Sequence, residues 1–151
     1  MSEKNIIFSL DKIYIQDASI EVSQDISILH PLKSTNIDTN MNFSIDYETK
    51  ELDQDLYKTV IIVKSHAECK NKNLIVLEVE QVGIFTIKNI PTQQMELVLN
   101  IECPNLVFPY IRETISNLSA KAGFPPIIIS AINFAQVYQQ KQNKSKDKVE
   151  Q

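Results

Sequence analysis

The chain has no tryptophan, two glycines, two cysteines and a single arginine among its 151 residues. Each scarcity excludes something. A glycine-rich phosphate loop or a dinucleotide fingerprint needs two or three closely spaced glycines, so that backbone can approach phosphate. Gly83 and Gly123 stand far apart. Cys69 and Cys103 are too few for a disulfide scaffold and are expected to be free thiols. His30 and His66 are the only histidines. His66-Ala67-Glu68-Cys69 looks like the start of a zinc deaminase motif, but that chemistry also needs a downstream Pro-Cys-x-x-Cys, and Cys103 stands alone. No metal is expected. Long hydrophobic runs are also missing. Val60-Ile61-Ile62-Val63 and Leu74-Ile75-Val76-Leu77 are strand length, far short of a membrane span. The start, Met1-Ser2-Glu3-Lys4, lacks the basic region and apolar stretch of a secretory signal, so a soluble cytoplasmic protein is expected.

What remains is 43% apolar and 23% charged residues, enough for one domain with a real core. The net charge is −4. Residues 141–151 carry four lysines against Asp147 and Glu150, which leaves 11 basic and 17 acidic residues in a body at −6. An acidic body repels nucleic acid and suits a basic protein partner. Mild acidity also serves solubility alone. A single domain over residues 1–140 is expected, followed by a flexible lysine-rich tail over 141–151.

The first half reads as strands. Ile6, Phe8 and Leu10 alternate with Ile7, Ser9 and Asp11, and an extended segment continues through Ile13-Tyr14-Ile15 towards Ile20 and Val22. Phe43, Ile45 and Tyr47 alternate with polar residues. Thr59 to Val63 is a β-branched run, a polar turn spans 68–73, and a last strand runs from Leu74 to Ile87. Short links make the sheet antiparallel. The long polar connection from Ser23 to Asn40 is expected to cross the sheet or carry function.

The second half reads as helix. A short helix is expected over Thr92–Ile101, with Met95, Val98 and Leu99 on one side. After Pro104 and Pro109, the residues Val107, Phe108, Ile111, Ile115, Leu118 and Ala122 share a helical face. Gly123 suits a left-handed cap, and Pro125 stops the helix. Phe124 to Ile129 must be extended around Pro125-Pro126. Asn133 can cap a last helix with Phe134, Val137 and Tyr138 inward.

Catalytic candidates are thin. Tyr110, Arg112 and Glu113 could perform acid–base work, but adjacent helical residues do not converge on one point. A lone helical arginine more often makes an ion pair or an interface. No nucleophile elbow, zincin helix or EF-hand loop is present. Nothing points to an enzyme or a cofactor. The apolar inventory of 107–134 exceeds what one face of a small sheet needs, which marks a full core, oligomerisation or a groove for extended peptide.

The string Cys103-Pro104-Asn105-Leu106-Val107-Phe108-Pro109-Tyr110-Ile111-Arg112-Glu113 closely resembles the signature of the SecB protein-export chaperones. Gln81-Val82-Gly83-Ile84-Phe85-Thr86-Ile87, Phe124-Pro125, Asn133-Phe134 and the N-terminal Ile13-Tyr14 with Asp17, Ser19 and Glu21 fit the same family. The similarity covers roughly residues 8–138. It implies an α+β subunit with a four-stranded antiparallel sheet, one long helix and a C-terminal helix packed on one face. It also implies a homotetramer, built as a dimer of dimers, that holds unfolded preproteins without ATP. Such chaperones deliver their clients to the SecA motor, so the membrane is met only through SecA.

By the same resemblance Asp17, Glu21 and Glu78 align with acidic SecA contacts, and Val76 with an apolar neighbour. Phe108, Ile111 and Ile115 lie on the helix used in tetramer assembly. Leu32, Ile37, Phe43, Phe124, Phe134 and Val137 are the candidate client groove. Three departures stand out. A tryptophan–x–proline of the family reads Ile37-Asp38-Thr39 here, Ala131 replaces a usual proline, and the tail is lysine-rich. An alternative within the family is a chaperone dedicated to another client, such as an antitoxin. A third reading is a small enzyme using Tyr110, Arg112 and Glu113.

Overall fold

The computed structural model describes residues 4–25, 40–69 and 71–149. Four strands form one antiparallel sheet: β1 (Ile7–Val22), β2 (Asn40–Asp53), β3 (Leu56–Cys69) and β4 (Lys72–Lys88). Their spatial order is β1-β4-β3-β2. The chain therefore runs β2-β3-β4 through tight turns, and β1 returns to pair with β4. Asp55 at φ 61° and Asn71 at φ 65° occupy those turns, as short polar side chains tolerate the left-handed region. β1 and β2 lie at opposite edges.

The two faces of the sheet differ. On β4, Ile75, Leu77, Val79, Gln81, Phe85 and Ile87 are buried on the face that packs under the helices. Val76, Glu78, Glu80 and Ile84 alternate onto the other face and stay partly exposed. β1 keeps this parity only through two bulges, between Leu10 and Lys12 and between Ile15 and Asp17. Without them Leu10, Ile13 and Ile20 could not share one face. The Asp11 carboxylate at the first bulge accepts hydrogen bonds from Thr86 Oγ1 (2.5 Å) and Ser9 Oγ (2.7 Å), which hold its pKa below the ordinary value.

The helical layer corrects one expectation. Instead of two separate helices, α1 (Thr92–Leu97) passes through a π-helical turn (Val98–Glu102) directly into α2 (Cys103–Lys121). Pro104 is the second residue of α2, directly after the π-helical turn. The wide π turn just before it keeps the rod continuous across a residue that would otherwise break it. Pro109 sits inside α2 on its exposed side.

α2 ends as the sequence predicts. Gly123 has φ +87°, Gly123 N–H donates to the Ala120 carbonyl (3.0 Å), and Phe124 N–H donates to the Ser119 carbonyl (3.1 Å). That is the paired bonding of a Schellman cap. Ile127 and Ile129 then tuck into the core, and the Ser119 hydroxyl accepts from Ile127 N–H at 2.9 Å. The last helix, α3 (Phe134–Val149), is capped by Asn133 Oδ1, which accepts from Gln136 N–H at 3.2 Å. α3 continues past Gln140, so the stretch expected to fray is helical to Val149, in keeping with the helix propensity of lysine and glutamine.

Candidate functional site

The outer face of the sheet assembles the acidic group. In the β1–β4 register Glu21 lies opposite Val76, Ser19 opposite Glu78, and Asp17 opposite Glu80. Steps of two residues place all six on one face, with directly opposed Cβ atoms about 5 Å apart. Asp17, Glu21, Val76 and Glu78 are thus brought together, and Asp17 and Glu21 are exposed. The structure adds two members the sequence reading passed over. Glu80 continues the row and accepts from Gln16 Nε2 at 3.2 Å. Lys64 on β3 lies 3.8 Å from Glu78 Oε1, an exposed pair of small energetic worth. Both share the parity of residues 76 and 78 or their register partners, and that signal was present in the chain. His66 stands opposite Val76, with Nε2 3.4 Å from Glu68 Oε1.

The candidate groove residues separate. Phe43 is exposed at 49% on β2, while Phe124 and Val137 are half-buried. Phe134 is 1% exposed: its ring meets Tyr47 edge-on at 5.2 Å and Phe108 at 5.8 Å. It is a core residue of the free chain and can serve a groove only as its floor. Leu32 and Ile37 lie outside the described residues. Tyr47 was read only as a strand residue, yet it forms the wall of this aromatic group. Burial, chiefly, raises its phenol above the ordinary value, with Asp46 and Tyr138 adding to the effect.

The three residues expected on the assembly helix lie on α2. Phe108, Ile111 and Ile115 are buried against the chain's own sheet at 7%, 0% and 0% exposure. Their helical period marks the inward face of α2. The outward face carries Leu106, Pro109 and Tyr110, and an open groove lined by Arg112, Glu113 and Ile128 runs between α2 and the segment after it. Glu113 accepts from Asn117 Nδ2 at 3.3 Å. Tyr110, Arg112 and Glu113 are all exposed and form no enclosed site.

Inside, Thr114 Oγ1 donates to Gln81 Oε1 at 3.0 Å, which ties α2 to β4. Both cysteines are buried free thiols, and burial pushes Cys103 up to about 12. Among the described residues no cluster of three or more metal-ligating side chains occurs, and no helix is long and apolar enough to cross a membrane.

Three comparisons bear on this arrangement. The family model described as preprotein translocase subunit SecB matches residues 1–145. The protein-export protein SecB of Thiobacillus denitrificans is 37% identical over 136 residues, covering 90% of this chain and 87% of its own. That of Methylobacillus flagellatus is 33% identical over 145 residues, covering 95% and 90%. The fold is also that of a solved SecB-like chaperone of Mycobacterium tuberculosis, in complex with a peptide from an antitoxin, at a TM-score of 0.65 and 10% identity over 83% of this chain and 90% of that one. A single helical layer on one face of a β1-β4-β3-β2 sheet, an acidic row on the other, and a match running almost end to end place the chain in the SecB family.

Proposed function

We propose that the protein is a holdase for protein export. It binds unfolded preproteins without nucleotide and passes them to SecA. The observation that carries this reading is the division of labour between the two faces of the sheet. Helices fill one face, and the other presents Asp17, Glu21, Val76 and Glu78 in adjacent register positions, open to a partner with a basic surface. Family membership supports client binding, and relatives named as export proteins at 33–37% identity favour general export over service to one dedicated client. No turnover and no cofactor are part of the proposal.

The working form is a homotetramer in the cytoplasm, a dimer of dimers. Exposed Leu106 and Tyr110 on α2 supply apolar surface for that assembly. Residues 1–140 act as the chaperone domain, with the lysine-rich stretch as an appendage. Phe43, Phe124 and Val137 line the client groove, Phe134 is its floor, and Leu32 and Ile37 belong to it as sequence expectations. Long clients gain avidity by occupying several grooves at once, and binding of the unfolded state drains the folding equilibrium.

Light scattering tests the reading directly. The expected result is a mass near four subunits that increases when an unfolded preprotein is added. A monomer or dimer that ignores unfolded chains would overturn the proposed function and leave the family and fold standing.

A further inference from the structure

α3 folds back onto β2 through a small set of contacts. Lys141 Nζ lies 4.0 Å from the centroid of the Tyr47 ring and 3.5 Å from Asp46 Oδ1. One turn earlier Tyr138 donates from its hydroxyl to Glu96 Oε2 on α1 at 3.0 Å, and Gln142 Nε2 donates to the same hydroxyl oxygen at 2.7 Å. Phe134 anchors the start of the helix against Tyr47 and Phe108.

One polar group fares badly in this arrangement. The Tyr47 hydroxyl is buried with no hydrogen-bond partner among the described residues, on a side chain only 8% exposed. Native proteins leave few such groups, and each calls for a reason. The Tyr47 ring is fully used, edge-on to Phe134 and capped by Lys141, so only the hydroxyl is unsatisfied. Phe134 and Lys141, which touch the ring, both belong to α3, as does Tyr138 close by, while Asp46 adjoins it on β2. The contacts that hold α3 down beyond Phe134 are individually weak. The Lys141–Asp46 pair has side chains 50% and 76% exposed, and salt screens it. A segment held this lightly over the ring of a residue with an unsatisfied hydroxyl has somewhere better to be once a partner for that group arrives.

We propose that α3 from Tyr138 onward is a built-in competitor for the client groove, whose wall and floor at the start of the helix are Val137 and Phe134. Docked through Lys141 it covers Tyr47; lifted, it frees the Tyr47 hydroxyl to hydrogen-bond the backbone of an extended client. An unfolded chain offers unpaired carbonyls along its length, so such a contact is independent of client sequence. The inference rests on the client-binding reading above.

Two variants test it, Lys141→Ala and Tyr47→Phe, after circular dichroism has confirmed the fold of each. Hydrogen exchange of the α3 amides is measured without client, and affinity is measured by titration with a reduced, unfolded preprotein. Lys141→Ala removes the ring contact and the ion pair, so α3 exchanges about three- to fivefold faster and client binds tighter by a similar factor. Tyr47→Phe removes the unsatisfied hydroxyl, so α3 exchanges more slowly and client binds about tenfold more weakly. Affinity moving in opposite directions distinguishes the competitor from a merely structural contact. If client binds but both variants match the wild type in α3 exchange and affinity, the competitor is overturned alone. If the wild type binds no unfolded client at all, the client reading falls and takes this inference with it.

Discussion

Gly83 shows how closely the layers approach. A Cβ at this position would stand 2.6 Å from Val107 Cγ2 and 3.1 Å from the Phe85 ring, so the side chain is absent because α2 crosses β4 there. Gly83→Ala is expected to cost about 1–3 kcal/mol through overpacking, read as a lower urea midpoint with an unchanged slope. Cys103 lies at the same contact layer, 0% exposed, with its thiol raised from 9.0 to about 12, first by burial. In the unfolded chain the thiol ionises near 9, while in the fold it stays protonated, so stability is fully present below that pH and declines as pH rises towards 12. Unfolding midpoints measured across this window are expected to fall less steeply for Cys103→Ala than for the wild type. Both residues stand inside the family signature strings, yet their physical role is packing.

At the level of elements, α2 carries two different faces. Ile111 is 0% exposed beneath it and Tyr110 is 46% exposed above it. Ile111→Ala is expected to lose about 2–5 kcal/mol of stability, the usual cost of emptying a buried aliphatic site. Tyr110→Ala is expected to change unfolding by less than about 0.5 kcal/mol per isolated subunit, as exposed substitutions do. On the proposed assembly it lowers the native mass seen by light scattering instead. The inward stripe was legible because its 3.6-residue period is strong; the continuity of the helix was not. Two prolines in six residues argue for a break, and only the structure shows the rod running on, through the π turn before Pro104 and with Pro109 on the exposed side of α2. The reach of α3 beyond Gln140 was likewise hidden, since lysine and glutamine serve equally in a solvated helix and in a tail.

For the whole molecule, the acidic row on the sheet is the feature to perturb. Asp17→Lys, Glu21→Lys and Glu78→Lys combined are expected to reduce SecA binding at least tenfold by surface plasmon resonance, because like charges now face the basic partner that is proposed. Secondary structure by circular dichroism is expected to persist, since Asp17 and Glu21 are exposed and the Lys64–Glu78 pair is worth little. Binding by the unaltered protein is expected to weaken as salt rises, in proportion to the exposed charges involved. Retained SecA affinity in the triple variant would remove this face from the proposal.

The order of apolar and polar residues alone determined the α+β class, the strand positions, the inward face of α2, its glycine cap and the Asn133 cap. These are local properties: a period of two or of 3.6, or a turn that needs a particular residue type, is written in adjacent positions. The family strings added the expectation of an acidic contact surface. Tertiary structure decided the rest. Two bulges in β1 set which side chains join Asp17 and Glu21, and the register with β4 and β3 adds Glu80 and Lys64 to them. Packing put Phe134 at the centre of an aromatic group, and it brought Lys141 onto Tyr47 from 94 positions away. Such pairings depend on distances between residues far apart in the chain, and those distances exist only once the helices have closed over the sheet.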